Sequence, residues 1–169
     1  DGVERGDIAI FKYPENERIN YVKRIIALPG DHVDYQNKEL TINGVPLKYA
    51  LAGPARPPEE NEFLIQEEQM PTDRYDEGYV TYQVQQFKQL TFADRGLSVR
   101  GSELAFEFPI TVPDGKYLAF GDNRDNSLDS RYWGFVDDRQ MIAKADYIWM
   151  NYNCLLKFKD CDRIFTKLK

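Results

Sequence analysis

A chain of 169 residues with 42% hydrophobic, 14% aromatic and 30% charged side chains has the balance of a globular domain and the length to bury a core without metals or disulfide staples. Its net charge of −6 argues against a role in tracking nucleic-acid phosphates, which needs clustered Lys and Arg, and would repel an anionic lipid surface. No apolar run approaches the roughly 18 residues of a spanning helix, and a start at Asp1 rather than Met reads as a piece of something longer, with room for an N-terminal anchor.

Taken in chain order, residues 7–12 (DIAIFK) and 19–28 (INYVKRIIAL) are rich in β-branched and aromatic side chains and flank the polar cluster YPENER. They read as two strands of a hairpin. DHVDYQNKELTINGVPLKY adds further strands, with turns expected at Asn37-Lys38 and Asn43-Gly44, because Asn and Gly tolerate the left-handed dihedrals of tight hairpins. Residues 51–63 hold three of the nine prolines and suit an exposed linker or loop. Beyond them, Tyr79 to Phe92 alternates with period two, the mark of one or two half-buried strands. ELAFEFPITVP and KYLAF return to denser apolar strands. MIAKADYIWMNY is long enough for a helix, but its isoleucines and aromatics favour a strand. The expectation is a mainly β chain in which residues 1–46 and 113–169 form a core and 47–112 an excursion from it.

Two stretches carry chemistry. In GDNRDNSLDSRYWGFV, Asp122, Asp125 and Asp129 lie close together, yet the calcium-loop pattern fails: Arg124 stands at the third position, Ser127 at the sixth and Trp133 at the twelfth. The stretch reads instead as a polar turn built by Gly, Asp, Asn and Ser, with Asp129 pairing Arg131. In YVKRIIALPGD, alternation places Tyr21, Lys23 and Ile25 on one strand face and Val22, Arg24 and Ile26 on the other. A lysine among such neighbours either reaches out to water or loses hydration and becomes a base. The single histidine, His32, follows PGD in an expected surface turn, which leaves a Ser-His-Asp triad and a tetrahedral zinc site without support. Cys154 and Cys161 are spaced too widely for a CxxC pair, and a disulfide or two free thiols remain equal alternatives.

Together, RGDIAIFKYP, YVKRIIALPGD and GDNRDNSLDSRYWGFV, in that order, resemble the conserved boxes of bacterial type I signal peptidases, membrane-anchored serine proteases that remove signal peptides from exported proteins. The resemblance covers residues 4–34 and 113–150. It implies an antiparallel β-sheet catalytic core with a smaller inserted β subdomain at 47–112, no cofactor or metal, and Ser-Lys chemistry. Lys23 would be the general base and Ser127 the hydroxyl that orients it. Asp129 and Arg131 would brace the turn as an ion pair, with Asp122 and Arg24 nearby. Ile10, Asn20, Tyr21 and Val22 would line a groove for an extended signal peptide with an Ala-x-Ala preference, and Trp149 would touch lipid. The implied setting is the cytoplasmic membrane, with the catalytic region facing the periplasm or cell exterior.

The nucleophilic serine box of that family precedes the lysine box, whereas the four serines here, Ser98, Ser102, Ser127 and Ser130, all follow Lys23. QMPTDR at 69–74 imitates the end of such a box without its serine. The expectation is therefore a catalytic region lacking its anchor and nucleophile segment, inactive alone. The alternative is an inactive relative serving as a peptide-binding or assembly module; a self-cleaving repressor domain is disfavoured by the long excursion.

Overall fold

The computed structural model describes residues 2–54, 63–73, 77–89, 105–148 and 166–167. Its strands run β1 (Ile8–Tyr13), β2 (Asn16–Ala27), β3 (His32–Gln36), β4 (Glu39–Ile42), β5 (Val45–Pro46), β6 (Lys48–Pro54), β7 (Phe63–Pro71), β8 (Tyr79–Phe87), β9 (Ile110–Thr111), β10 (Lys116–Phe120), β11 (Val136–Asp137), β12 (Met141–Ala145), β13 (Tyr147–Ile148) and β14 (Thr166–Lys167). Among the described residues helix is confined to single turns: 3-10 segments at Arg124–Asn126 and Asp138–Gln140, and α1 (Ser130–Trp133). The strands form antiparallel sheets in the orders β11-β10-β2-β1-β12, β5-β4-β3-β9 and β6-β7-β8, with β13 and β14 paired separately. The mainly β expectation is correct in every sheet.

Two expected elements are revised. Within YPENER only Pro14 and Glu15 turn; β2 starts at Asn16, opposite Tyr13, because pairing with β1 supplies backbone bonds to residues whose own strand preference is weak. The described part of ELAFEFPITVP, residues 105–113, yields strand only at Ile110–Thr111, since Pro109 has no N–H to give a ladder and Phe106 and Phe108 pack as rings against the core instead. The expected tight turns are present: Asn37, Lys38 and Asn43 have φ of 50°, 73° and 52° and Gly44 of 79°, the left-handed conformation such turns require. Tyr79–Phe87 is one strand, and residues 90–92 lie outside the described residues.

The β2–β10 pair is covered on both faces, as period-two alternation demands. Ile25 and Ala119 join Ala9, Phe11 and Val136 on one side, while Ile26, Leu118 and Phe120 point the other way into a larger cluster with Val33, Tyr35, Leu40 and Val112. Met70, Val80, Tyr82 and Val84, from β7 and β8, pack in that larger cluster too. Each fully buried Ile or Phe contributes about 1.5–3 kcal/mol, so this double cover makes the β2–β10 pair a firm platform. It ends abruptly: Phe120 pairs with Arg24, and the chain then leaves β10 at Gly121, alongside Lys23.

Candidate functional site

Lys23 stands where β2 leaves that platform. Its Cα partner is Ala9 on β1, and from Arg24 onward β2 is also paired to β10. The ammonium lies between the sheet and the loop that follows β10, and Nζ donates to Ser127 Oγ at 2.7 Å, across 104 residues of sequence. Loss of hydration on burial pushes the Lys23 amine below its usual value; Asp129 and Asp122 oppose that shift, and Arg131 adds to it.

The loop is rigid for readable reasons. Asp129 Oδ2 accepts from Gly121 N at 3.0 Å, closing the loop upon itself, and the Asp129 side chain caps α1 by accepting from Arg131 N. Ser130 Oγ accepts from Ala119 N. Arg131 grips Asp129 through Nε and Nη2, both at 2.8 Å, donates to the carbonyl of Arg124 and lies over the Phe120 ring. Asp129 is fully buried and Arg131 nearly so. Burial alone would weaken the guanidinium's hold on its proton, but the Asp129 charge outweighs it and strengthens that hold. At the near end, Arg24 makes a bidentate pair with Asp122 at 2.9 and 2.8 Å.

Gly121 has a function that sequence reasoning missed. A Cβ built there would meet Ser127 Oγ at 2.1 Å, Ser127 Cβ at 2.6 Å and Lys23 Nζ at 3.3 Å. The Lys23–Ser127 contact occupies the space a side chain would fill. Two ion pairs were missed as well. Lys38 pairs with the buried Asp125 carboxylate at 2.7 Å, which also accepts from Phe87 N. Glu68, on β7, is fully buried against Arg124. Its position could have signalled this, because an acid in register with Met70 on a half-buried strand must find a buried cation.

The groove residues separate. Val22 is 57% exposed and Asn20 is exposed, while Ile10 and Tyr21 are half-buried; Tyr21 stacks on Tyr13 at 4.5 Å. Core packing therefore does not account for Asn20 or Val22. Up to Lys23, β2 is paired on the β1 side only, because β10 joins it no earlier than Arg24. Alternate N–H and C=O groups of Asn20–Lys23 thus face outward with no strand against them among the described residues. His32 is exposed at the start of β3, within hydrogen-bond distance of Thr111. Trp149, Cys154 and Cys161 lie outside the described residues, which contain no cluster of His, Cys, Asp or Glu able to hold a metal.

Comparison with known proteins points one way. The family model described as signal peptidase, peptidase S26, matches residues 1–150. The chain is similar to signal peptidase I of Buchnera aphidicola subsp. Baizongia pistaciae, 33% identical over 88% of this chain and 56% of the relative. It is 35% identical to signal peptidase I of Pseudomonas aeruginosa, over 88% of this chain and 50% of the relative. The chain thus spans about half the length of these curated relatives. A crystal structure of a signal peptidase I from Enterococcus faecalis V583 superposes with a TM-score of 0.51 at 28% identity, covering 86% of this chain and 97% of that one.

Proposed function

Because the chain belongs to the signal peptidase family, peptidase S26, we propose that it is the catalytic region of a membrane-associated serine endopeptidase that removes signal peptides after Ala-x-Ala-like sites. The single observation that carries this is the Lys23–Ser127 contact of 2.7 Å at the edge of a two-sided core. A lysine amine with its pKa lowered by burial has a larger neutral fraction, and a neutral amine can take the proton of an attacking hydroxyl and return it to the leaving amine. Ser127 fixes the amine's rotamer. In this reading the nucleophile is a serine that this chain does not contain, since its four serines all follow Lys23, Ser127 is committed to Lys23 and Ser130 is buried, holding Ala119 N.

The outward edge of Asn20–Lys23 supports strand addition by an extended peptide, whose backbone bonds to β2 carry its scissile carbonyl toward Lys23. Val22 and Ile10 would then contact the small side chains before the cut. Exposed Ile19, Ile142 and Tyr147 on β2, β12 and β13 are the surface we infer to meet the bilayer, on the outer side of the cytoplasmic membrane. Among the described residues no helix is long and apolar enough to cross it. The test is a pre-protein cleavage assay with the intact protein: Lys23→Ala should abolish processing, and retention of full activity by that variant overturns the assignment. An intact protein that binds signal peptide without cleaving it would instead mark a peptide-binding module.

A further inference from the structure

Glu68 sits in the inserted sheet, on β7, yet its carboxylate reaches the loop that holds Ser127. It is fully buried and grips Arg124 with two bonds, Arg124 Nη1 to Oε2 at 2.7 Å and Nη2 to Oε1 at 2.6 Å. Arg124 is 1% exposed, its Nε meets no acceptor, and among the described residues Glu68 is the one carboxylate paired with it. The Arg124 carbonyl in turn accepts from Arg131, the partner of Asp129. Three residues after Arg124 comes Ser127.

The same carboxylate reaches the other half of the site. The Tyr82 hydroxyl donates to Glu68, and the face of the Tyr82 ring lies 3.8 Å from the Arg24 guanidinium carbon, one residue beyond Lys23. The Tyr82 hydroxyl is held strongly protonated, by burial first and by the Glu68 charge second, so it stays a donor. Glu68 therefore reaches the support of Ser127 directly, through Arg124, and the neighbour of Lys23 through the Tyr82 ring. Truncation of Glu68 would leave the Arg124 charge buried without its carboxylate, and unpaired buried ions are costly.

We propose that Glu68 is a positioning residue for the Lys23–Ser127 pair, setting their separation from within the inserted sheet through Arg124 on one side and Tyr82–Arg24 on the other. The proposal rests on Lys23 being the base, and deepens that reading by giving the inserted sheet a task in the reaction. Releasing Arg124 loosens the turn before Ser127, admits water to the amine and returns Lys23 toward ordinary lysine behaviour.

The test uses the intact protein and two readouts. One is the pH dependence of Lys23 acetylation by acetic anhydride, followed by peptide mass spectrometry, which needs no catalysis; the other is the pH profile of pre-protein cleavage. In Glu68→Gln the acetylation midpoint should rise by about half a unit or more as hydration returns. The acid limb of kcat should move up with it, and kcat at neutral pH should fall about tenfold with KM within about twofold. Because that variant leaves Arg124 unpaired, Glu68→Gln combined with Arg124→Met serves as the second: it removes the buried charge, keeps an acceptor for Tyr82, and should recover the melting temperature while the Lys23 midpoint stays raised. An unchanged Lys23 midpoint in both variants, or its return together with the melting temperature in the double variant, reduces Glu68 to a structural role and overturns the proposal. Failure of the catalytic reading looks different: Lys23→Ala would still process substrate whatever the midpoint does.

Discussion

Substituting Gly121 with alanine replaces a hydrogen with a methyl group where the loop meets Ser127 and Lys23. The new Cβ would lie 2.1 Å from Ser127 Oγ, where ordinary contact begins at 3.4 Å. The sheet side cannot give, since Gly121 follows Phe120 directly and its N–H is held by buried Asp129. Ser127 must therefore retreat by about 1.3 Å, the difference of those two distances. Moved that far along the line from Lys23, its hydroxyl passes out of hydrogen-bonding range of Nζ, now 2.7 Å away. Overpacking of this kind costs about 1–3 kcal/mol of stability, and misplacing a catalytic group by about 1 Å costs about 100-fold in rate. In the intact protein, Gly121→Ala should thus lower kcat for pre-protein cleavage about 100-fold, with KM little changed and the melting temperature modestly reduced. Removing the obstacle by Ser127→Gly in the same chain should recover the stability and none of the rate. Wild-type kcat in Gly121→Ala would refute the argument, because the loop would then have absorbed a methyl group without moving Ser127.

Other outcomes follow from the same contacts. Lys23→Met should abolish cleavage and raise the melting temperature: an amine whose folded pKa lies below its unfolded value of 10.5 binds its proton more weakly in the native state, so it penalises folding below the folded pKa. The gain should be full below the folded pKa and fade as pH rises from there toward 10.5, readable by thermal melts across pH. Asp129→Asn leaves the Arg131 guanidinium buried with half its partner, and should cost about 3–5 kcal/mol in denaturant unfolding, far more than the loss from Asp122→Asn, whose carboxylate is partly exposed.

The strands were legible because alternation and β-branched composition speak directly to period two. Lys23 was legible as an oddity, a charge within an apolar run, but its partner was not, because nothing in composition links residues 104 apart; only the box resemblance joined them. The missed residues share a cause. Gly121 acts by having no side chain, and its need is set by Lys23 and Ser127 arriving from elsewhere. Glu68 and Arg124 look like surface charges until β7 and the loop after β10 meet across Tyr82. The YPENER turn was drawn too wide because local preference was read where cross-strand pairing decides.

The early stop of β10 also bears on how the molecule behaves in a crowded compartment. An open strand edge is a template for any passing chain, its own copies included. Here the gap is only a few residues long and continues into the exposed polar run Asn16–Arg18, so a second molecule laid alongside could add few bonds before meeting charged side chains. A short extended segment with small uncharged side chains faces no such limit. On the proposed reading, the brevity of the opening would leave it available to a signal peptide while giving little purchase to self-assembly.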